Sequence, residues 1–156
     1  MKVTAGAAAQ YDEPIEALFA RATDGERIAA IVRPTGPLPG VARVTLLAGA
    51  IEQGRGVQRE VLLTDHSSVR ETITVWDPPR MHAYRIDSFT GPLALLATHI
   101  DSRWTFSPRE KGRSTHIEWT YDVHLTSALA APFALPLTRF FLRAFLQSAL
   151  ERLRAR

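Results

Sequence analysis

Between residues 41 and 126, strand-length apolar runs follow one another, and no link between them has room for a crossover helix. The runs are Val41–Ala50, Gly56–Thr64, Ser68–Trp76, Met81–Phe89, His99–Phe106 and Ser114–Leu125. Turn residues separate them: Glu52-Gln53-Gly54, Asp65-His66-Ser67, Asp77-Pro78-Pro79, Thr90-Gly91-Pro92, and Ser107-Pro108 with Gly112. Parallel neighbours need connections of about a dozen residues or more, whereas antiparallel strands can turn back directly. The spacing therefore predicts an antiparallel meander. In the last run Ile117, Trp119, Tyr121 and Val123 share one face, and His116, Glu118, Asp122 and His124 share the other. That alternation is what a half-buried antiparallel sheet requires.

A sheet with one apolar face needs something to cover it. The segment from about residue 133 onward supplies a long amphipathic helix, with Pro132 and Pro136 marking its start. Phe141, Leu142, Phe145, Leu146, Ala149 and Leu153 form its apolar side, and Arg139, Arg143, Gln147, Glu151 and Arg154 the opposite stripe. Upstream, Asp12-Glu13-Pro14 opens one short helix and Thr23-Asp24 a second, while Val3 to Ala9 reads as an opening strand. The stretch Arg33 to Gly40, with Pro34, Pro37 and Pro39, is an irregular connection. The expected fold class is α+β, a curved antiparallel sheet around a long C-terminal helix with two short N-terminal helices.

The chain has 156 residues. At about 150 residues per domain it forms one domain, residues 1–156. It has no cysteine, which excludes disulfides, thiol catalysis and thiolate metal sites. No signal peptide and no membrane-spanning run are read from the sequence, so a cytoplasmic protein with no stable membrane insertion is expected. The net charge is +3, and the arginines are scattered rather than gathered on one face, so no nucleic-acid partner is expected. Arg152, Arg154 and Arg156 complement the helix dipole without needing a partner.

The middle of the chain carries a family resemblance. Gly56-Val57-Gln58-Arg59-Glu60-Val61, the hairpin at Asp65-His66, Glu71-Thr72-Ile73, Trp76-Asp77-Pro78-Pro79-Arg80 and Tyr84-Arg85-Ile86 look like bacterial SRPBCC, polyketide-cyclase-like sequences. Trp104-Thr105-Phe106-Ser107-Pro108 through Gly112 to Ile117-Glu118-Trp119 fits the same pattern. From about residue 40 onward the chain is similar to this branch of the START-like superfamily. The resemblance implies the helix-grip fold, with a cavity between sheet and helix that takes hydrophobic or amphipathic small molecules. Some members catalyse cyclisation or dehydration there, but the family has no universal catalytic residue.

Arg59 and Glu71 are the candidate pair for that cavity. A three-residue hairpin loop at Asp65-His66-Ser67 would put Val57, Arg59, Val61 and Leu63 on one face with Val69, Glu71, Ile73 and Val75. The pair is then either a self-satisfied inward salt bridge or a device that orients a ligand or moves a proton. A two-residue turn would separate them. Tyr84 is a third catalytic candidate, as a proton donor. Ile73, Tyr84, Trp104, Trp119, Tyr121, Phe141 and Phe145, with Arg59 and Glu71, form the expected ligand-binding set. His99 and Asp101 share a strand face, too small a set to assign a metal; no cofactor and no metal are expected. The apolar run Leu93 to Leu96 reads as a lid over the pocket mouth, with a homodimer contact or a membrane touch as other destinations. Three functions follow: binding of a lipid- or polyketide-like small molecule, an acid/base cyclase or dehydratase, and a protein-interaction module with a filled core.

Overall fold

A computed structural model describes residues 1–47 and 54–154. Strands β1 (Lys2–Tyr11), β2 (Val41–Leu46), β3 (Gln58–Leu63), β4 (Ser68–Asp77), β5 (Met81–Asp87), β6 (Ala97–Arg109) and β7 (Ser114–Leu125) form one sheet. Its order is β1-β7-β6-β5-β4-β3-β2, antiparallel at every step. Helices α1 (Ile15–Ala22) and α2 (Gly25–Ile31) carry the chain from one edge strand to the other. Helix α3 (Ala128–Arg154) follows β7 and packs on β1 and α2. This is the antiparallel sheet and long C-terminal helix that the residue pattern predicts, in the helix-grip arrangement that the resemblance implies. The end of the Val41–Ala50 run, the turn residues Glu52-Gln53 and Arg156 lie outside the described residues.

The opening strand is longer than Val3 to Ala9 and pairs with β7 from Lys2↔His124 to Tyr11↔Thr115. Its small side chains suit that place. Ala5 and Ala9 are buried, as is Ala149 of α3, so helix and strand approach closely. Pro14 is itself the N-cap of α1, while Asp24 caps α2 by accepting from the Glu26 amide at 3.0 Å. The end of α3 is fastened by polar bonds. Tyr11 Oη donates to the Leu150 carbonyl at 2.6 Å, and Arg21 donates to the Leu153 carbonyl at 2.9 Å and pairs with Glu13. Arg152 reaches the Ile31 carbonyl at 3.1 Å, so it ties α3 to α2 as well as complementing the helix dipole.

Helix α3 departs from the sequence expectation in two ways. It begins at Ala128, ahead of Pro132, which the first turns of a helix tolerate. Pro136 then lies inside it and is followed by a widened π-type stretch over Leu137–Leu142, closed by the Arg143 N–H bonding to Thr138 five residues back. Wider turns shift the phase of the helical wheel. Thr138 and Leu142 point inward, whereas Phe141 turns out against Gly36 and is 40% exposed. Beyond the π stretch the regular period returns, and Phe145, Leu146, Ala149, Leu150 and Leu153 are buried. By length and composition α3 could cross a bilayer, yet Leu146, Ala149 and Leu150 are fully enclosed by the protein.

Candidate functional site

The β3–β4 hairpin decides the register of the site. Leu63 N–H bonds to the Ser67 carbonyl and His66 N–H to the Leu63 carbonyl, so the loop is Thr64-Asp65-His66, one residue earlier than expected. His66 takes a positive φ of 70°, and Asp65 accepts the Ser67 amide and hydroxyl. Such a loop is a common three-residue hairpin connection with its last residue left-handed. Its odd length keeps Arg59 and Glu71 on one face and places them directly opposite each other. Arg59 Nη2 donates to Glu71 Oε2 at 2.8 Å, with 9% and 14% of the two side chains accessible. The Arg59 guanidinium also lies 5.9 Å above the Tyr84 ring.

A bulge in β4 corrects one expected neighbour. The pairing with β5 shifts between Ile73↔Tyr84 and Val75↔Ala83. The extra residue flips the side-chain parity, so Trp76, not Val75, faces inward. Across from Trp76 stands His82. His82 is two residues before Tyr84, so the alternation that turns Tyr84 inward turns His82 inward as well. That parity is the sequence signal that identifies it. His82 is 4% exposed and stacks with Tyr84 and Trp104 at ring separations of 5.8 and 5.6 Å.

On the other side of the sheet's inner face, Trp104 and Trp119 oppose each other in register and stack at 4.2 Å. Trp119 Nε1 donates to Ser102 Oγ at 3.0 Å, and Trp104 Nε1 to Tyr84 Oη at 3.4 Å. Both indoles are thus satisfied, leaving their faces to pack.

These side chains surround a cavity of about 130 Å³ between the sheet, α2 and α3. Of the expected set, Arg59, Glu71, Ile73, Tyr84, Trp104, Trp119, Tyr121 and Phe145 line it; Phe141 does not, for the helical-phase reason given above. Trp76 and His82 are additions. A second recess of about 210 Å³ shares Val69, Leu93, Leu96 and Leu137 with the first. The expected lid is therefore divided. Leu93 and Leu96 form cavity wall, while Leu95, on the 3-10 turn Pro92–Leu95, is 79% exposed. A filled core, on which the interaction-module reading rests, is not what the structure has.

Burial dominates the electrostatics. It raises the Glu71 carboxyl above the ordinary carboxylate range even though the Arg59 charge and hydrogen bond pull the other way. It pushes His82 down to about 3, helped by the Arg59 charge, so the imidazole is neutral at pH 7. The Tyr84 and Tyr121 phenols are raised for the same reason, with Glu71 adding to the effect on each. Two buried polar atoms have no partner among the described residues: Arg59 Nε and His82 Nε2. The surface is thus an apolar chamber with one polar wall whose hydrogen-bonding capacity is incompletely used.

His99 and Asp101 do share a face, the outer one, and β7 adds His124 beside them. The three ligand-type groups lie within 4.8 Å of one another. The two imidazoles stack at 4.1 Å and 17°, and Arg85 donates to Asp101 at 2.8 Å. His124 Nε2 lies 3.1 Å from Asp101 Oδ2.

The geometry agrees with what the chain is similar to. Ara h 8.0201 superposes with a TM-score of 0.68 at 13% identity, each chain covered in full. Norcoclaurine synthase from Thalictrum flavum, in complex with dopamine and hydroxybenzaldehyde, gives a TM-score of 0.69 at 12% identity, covering 98% of this chain and 86% of that one. A protein from Thermus thermophilus gives 0.69 at 17% identity, covering 97% of this chain and 94% of that one. At such identities these likenesses establish the fold alone. A search of curated proteins finds no match. The model of one family, described as polyketide cyclase / dehydrase and lipid transport, matches residues 6–156, and with nearly the whole length matched the chain belongs to that family.

Proposed function

We propose that this protein binds an amphipathic small molecule, lipid- or polyketide-like, in the chamber between sheet and α3. The observation that carries this reading is the chamber itself: a cavity walled by Ile73, Trp104, Trp119 and Phe145, with Arg59 and Glu71 on one side of it. Natural interiors are otherwise packed like organic crystals, and an apolar void forfeits contacts that a ligand would restore. Burial of the ligand's apolar body contributes about 25 cal/mol per Å². The polar wall would orient the other end.

Native mass spectrometry of freshly purified protein, followed by organic extraction, tests the reading. The expected result is a stoichiometric adduct whose extract is an amphipathic molecule. A Val69→Phe variant, which pushes a ring into the space shared by both recesses, should lose the adduct while keeping its circular dichroism spectrum. Retention of the adduct by a folded Val69→Phe protein would move the ligand out of the chamber.

A second reading, a cyclase or dehydratase, is favoured by one observation: Glu71 is a carboxyl biased toward its protonated form inside an apolar cavity, beside Tyr84 and Tyr121. On that reading Glu71→Ala abolishes turnover of the extracted molecule and spares its binding. Equal loss of folding stability and of binding would assign Glu71 to a structural pair instead.

A further inference from the structure

Resting on the binding reading above, we infer that the ligand's polar head is a carboxylate, held by Arg59 Nε and His82 Nε2, and that its entry is coupled to uptake of one proton by Glu71. The two unpartnered atoms carry the argument. Arg59 is 7% exposed and His82 4%, and both line the same cavity. The guanidinium has five N–H donors, of which Nη2 is spent on Glu71; its Nε–H is buried with no acceptor among the described residues. His82 Nε2 is likewise buried with no partner among them. Native proteins seldom leave buried polar atoms unpaired, and two on one cavity wall mark a place where a bound group completes the bonding. In the Nε2–H tautomer, which the proposal takes, the neutral His82 is a second donor. Two donors, one of them cationic, match the two oxygens of a carboxylate. An alcohol oxygen could accept from both but brings no charge to pair with the guanidinium, and an ammonium would meet the Arg59 charge.

Charge balance supplies the coupling. The titratable side chains facing the cavity are Arg59 from β3, Glu71 from β4, His82 and Tyr84 from β5, and Tyr121 from β7. His82 and both tyrosines are neutral at pH 7, so Arg59 and Glu71 cancel. A carboxylate entering this apolar space would leave one uncompensated negative charge, which is costly. Transfer of a proton from solvent to Glu71 removes it and frees Arg59 to pair with the ligand. Burial already biases Glu71 toward that protonated form. No covalent bond changes within the ligand; one carboxylate and one proton are taken up together.

Calorimetric titration with octanoate, 1-octanol and methyl octanoate, each at pH 7 in phosphate and in Tris, tests the inference. The slope of heat against buffer ionisation enthalpy should give one proton taken up per octanoate and none for the alcohol or ester, and octanoate should bind at least tenfold tighter than either. Glu71→Gln should bring the octanoate proton count to zero. Arg59→Gln and His82→Phe should each collapse the octanoate-over-octanol preference. Equal affinity for all three probes, or a proton count of zero in the wild type, would overturn the head-group assignment and leave the chamber reading intact. Failure of all three to bind the wild type would overturn the chamber reading as well. The wild-type comparison decides the matter even where a variant does not fold.

Discussion

The Arg59–Glu71 pair makes a prediction whose asymmetry follows from the chemistry of its two members. In Glu71→Met a guanidinium that cannot shed its proton is left in a buried setting without a counter-charge. Removing one partner of a buried pair in this way costs about 3–5 kcal/mol. In Arg59→Met the stranded group is a carboxyl already displaced toward its neutral form, so it can take a proton instead of remaining charged. The loss is then mainly the 2.8 Å charge-assisted hydrogen bond, worth about 1.5–3 kcal/mol. The double variant carries no charge and fills the space with two flexible apolar side chains. It should lie within about 1 kcal/mol of wild type, or above it. A coupling of at least about 3 kcal/mol is therefore expected between the two sites. Urea unfolding measures all four proteins. With a slope of about 1–3 kcal/mol per molar, the Glu71→Met midpoint should fall by more than about 1 M at unchanged slope. Two single variants that each cost under about 1 kcal/mol and simply add in the double would refute the reasoning, because the pair would then be solvated rather than enclosed.

The raised Glu71 carboxyl and the depressed His82 imidazole give opposite pH slopes, which difference measurements separate. Native Glu71 holds a proton that the unfolded chain has lost, so stability falls as pH rises from the ordinary carboxylate range through its raised value, by at most about 1.4 kcal/mol per pH unit, and Glu71→Gln should remove that loss. Native His82 refuses a proton that the unfolded chain accepts, so stability falls as pH drops from about 6.5 toward about 3, and His82→Phe should flatten that limb. At Gly40 an added Cβ would sit 2.6 Å from the Val32 carbonyl oxygen and 2.7 Å from the Arg33 backbone, so Gly40→Ala should cost about 1–3 kcal/mol in thermal or urea unfolding. Along a series of straight-chain carboxylates, each added methylene that the chamber can still enclose should tighten binding by up to about 0.8 kcal/mol, with a plateau in calorimetry once the chain outgrows the cavity.

The parts of the fold legible in the residues are those governed by strict period. The six strands and their faces follow from alternation, and the pairing of Arg59 with Glu71 follows from an odd hairpin loop, although that loop sits one residue earlier than the turn residues suggest. What escaped sequence reading are local breaks of period. The bulge after Ile73 exchanges Val75 for Trp76, and the π stretch after Pro136 turns Phe141 outward. Neither break has a unique residue signature, because each depends on what the neighbouring strand or helix turn can accommodate. His82 is different in kind, since the alternation through Tyr84 already points it inward. That its Nε2 has no partner among the described residues depends on what the neighbouring elements bring near it, which no single run of residues displays.

The most direct test of the chamber is where a bound molecule touches the protein. In an isotope-filtered NOE experiment with carbon-13-labelled octanoate, the chain should show contacts to Ile73, Trp104, Trp119 and Phe145, all on the cavity wall. Contacts confined instead to Leu129, Phe133 and Phe140, which stand 85%, 70% and 68% exposed on the outside of α3, would contradict the account.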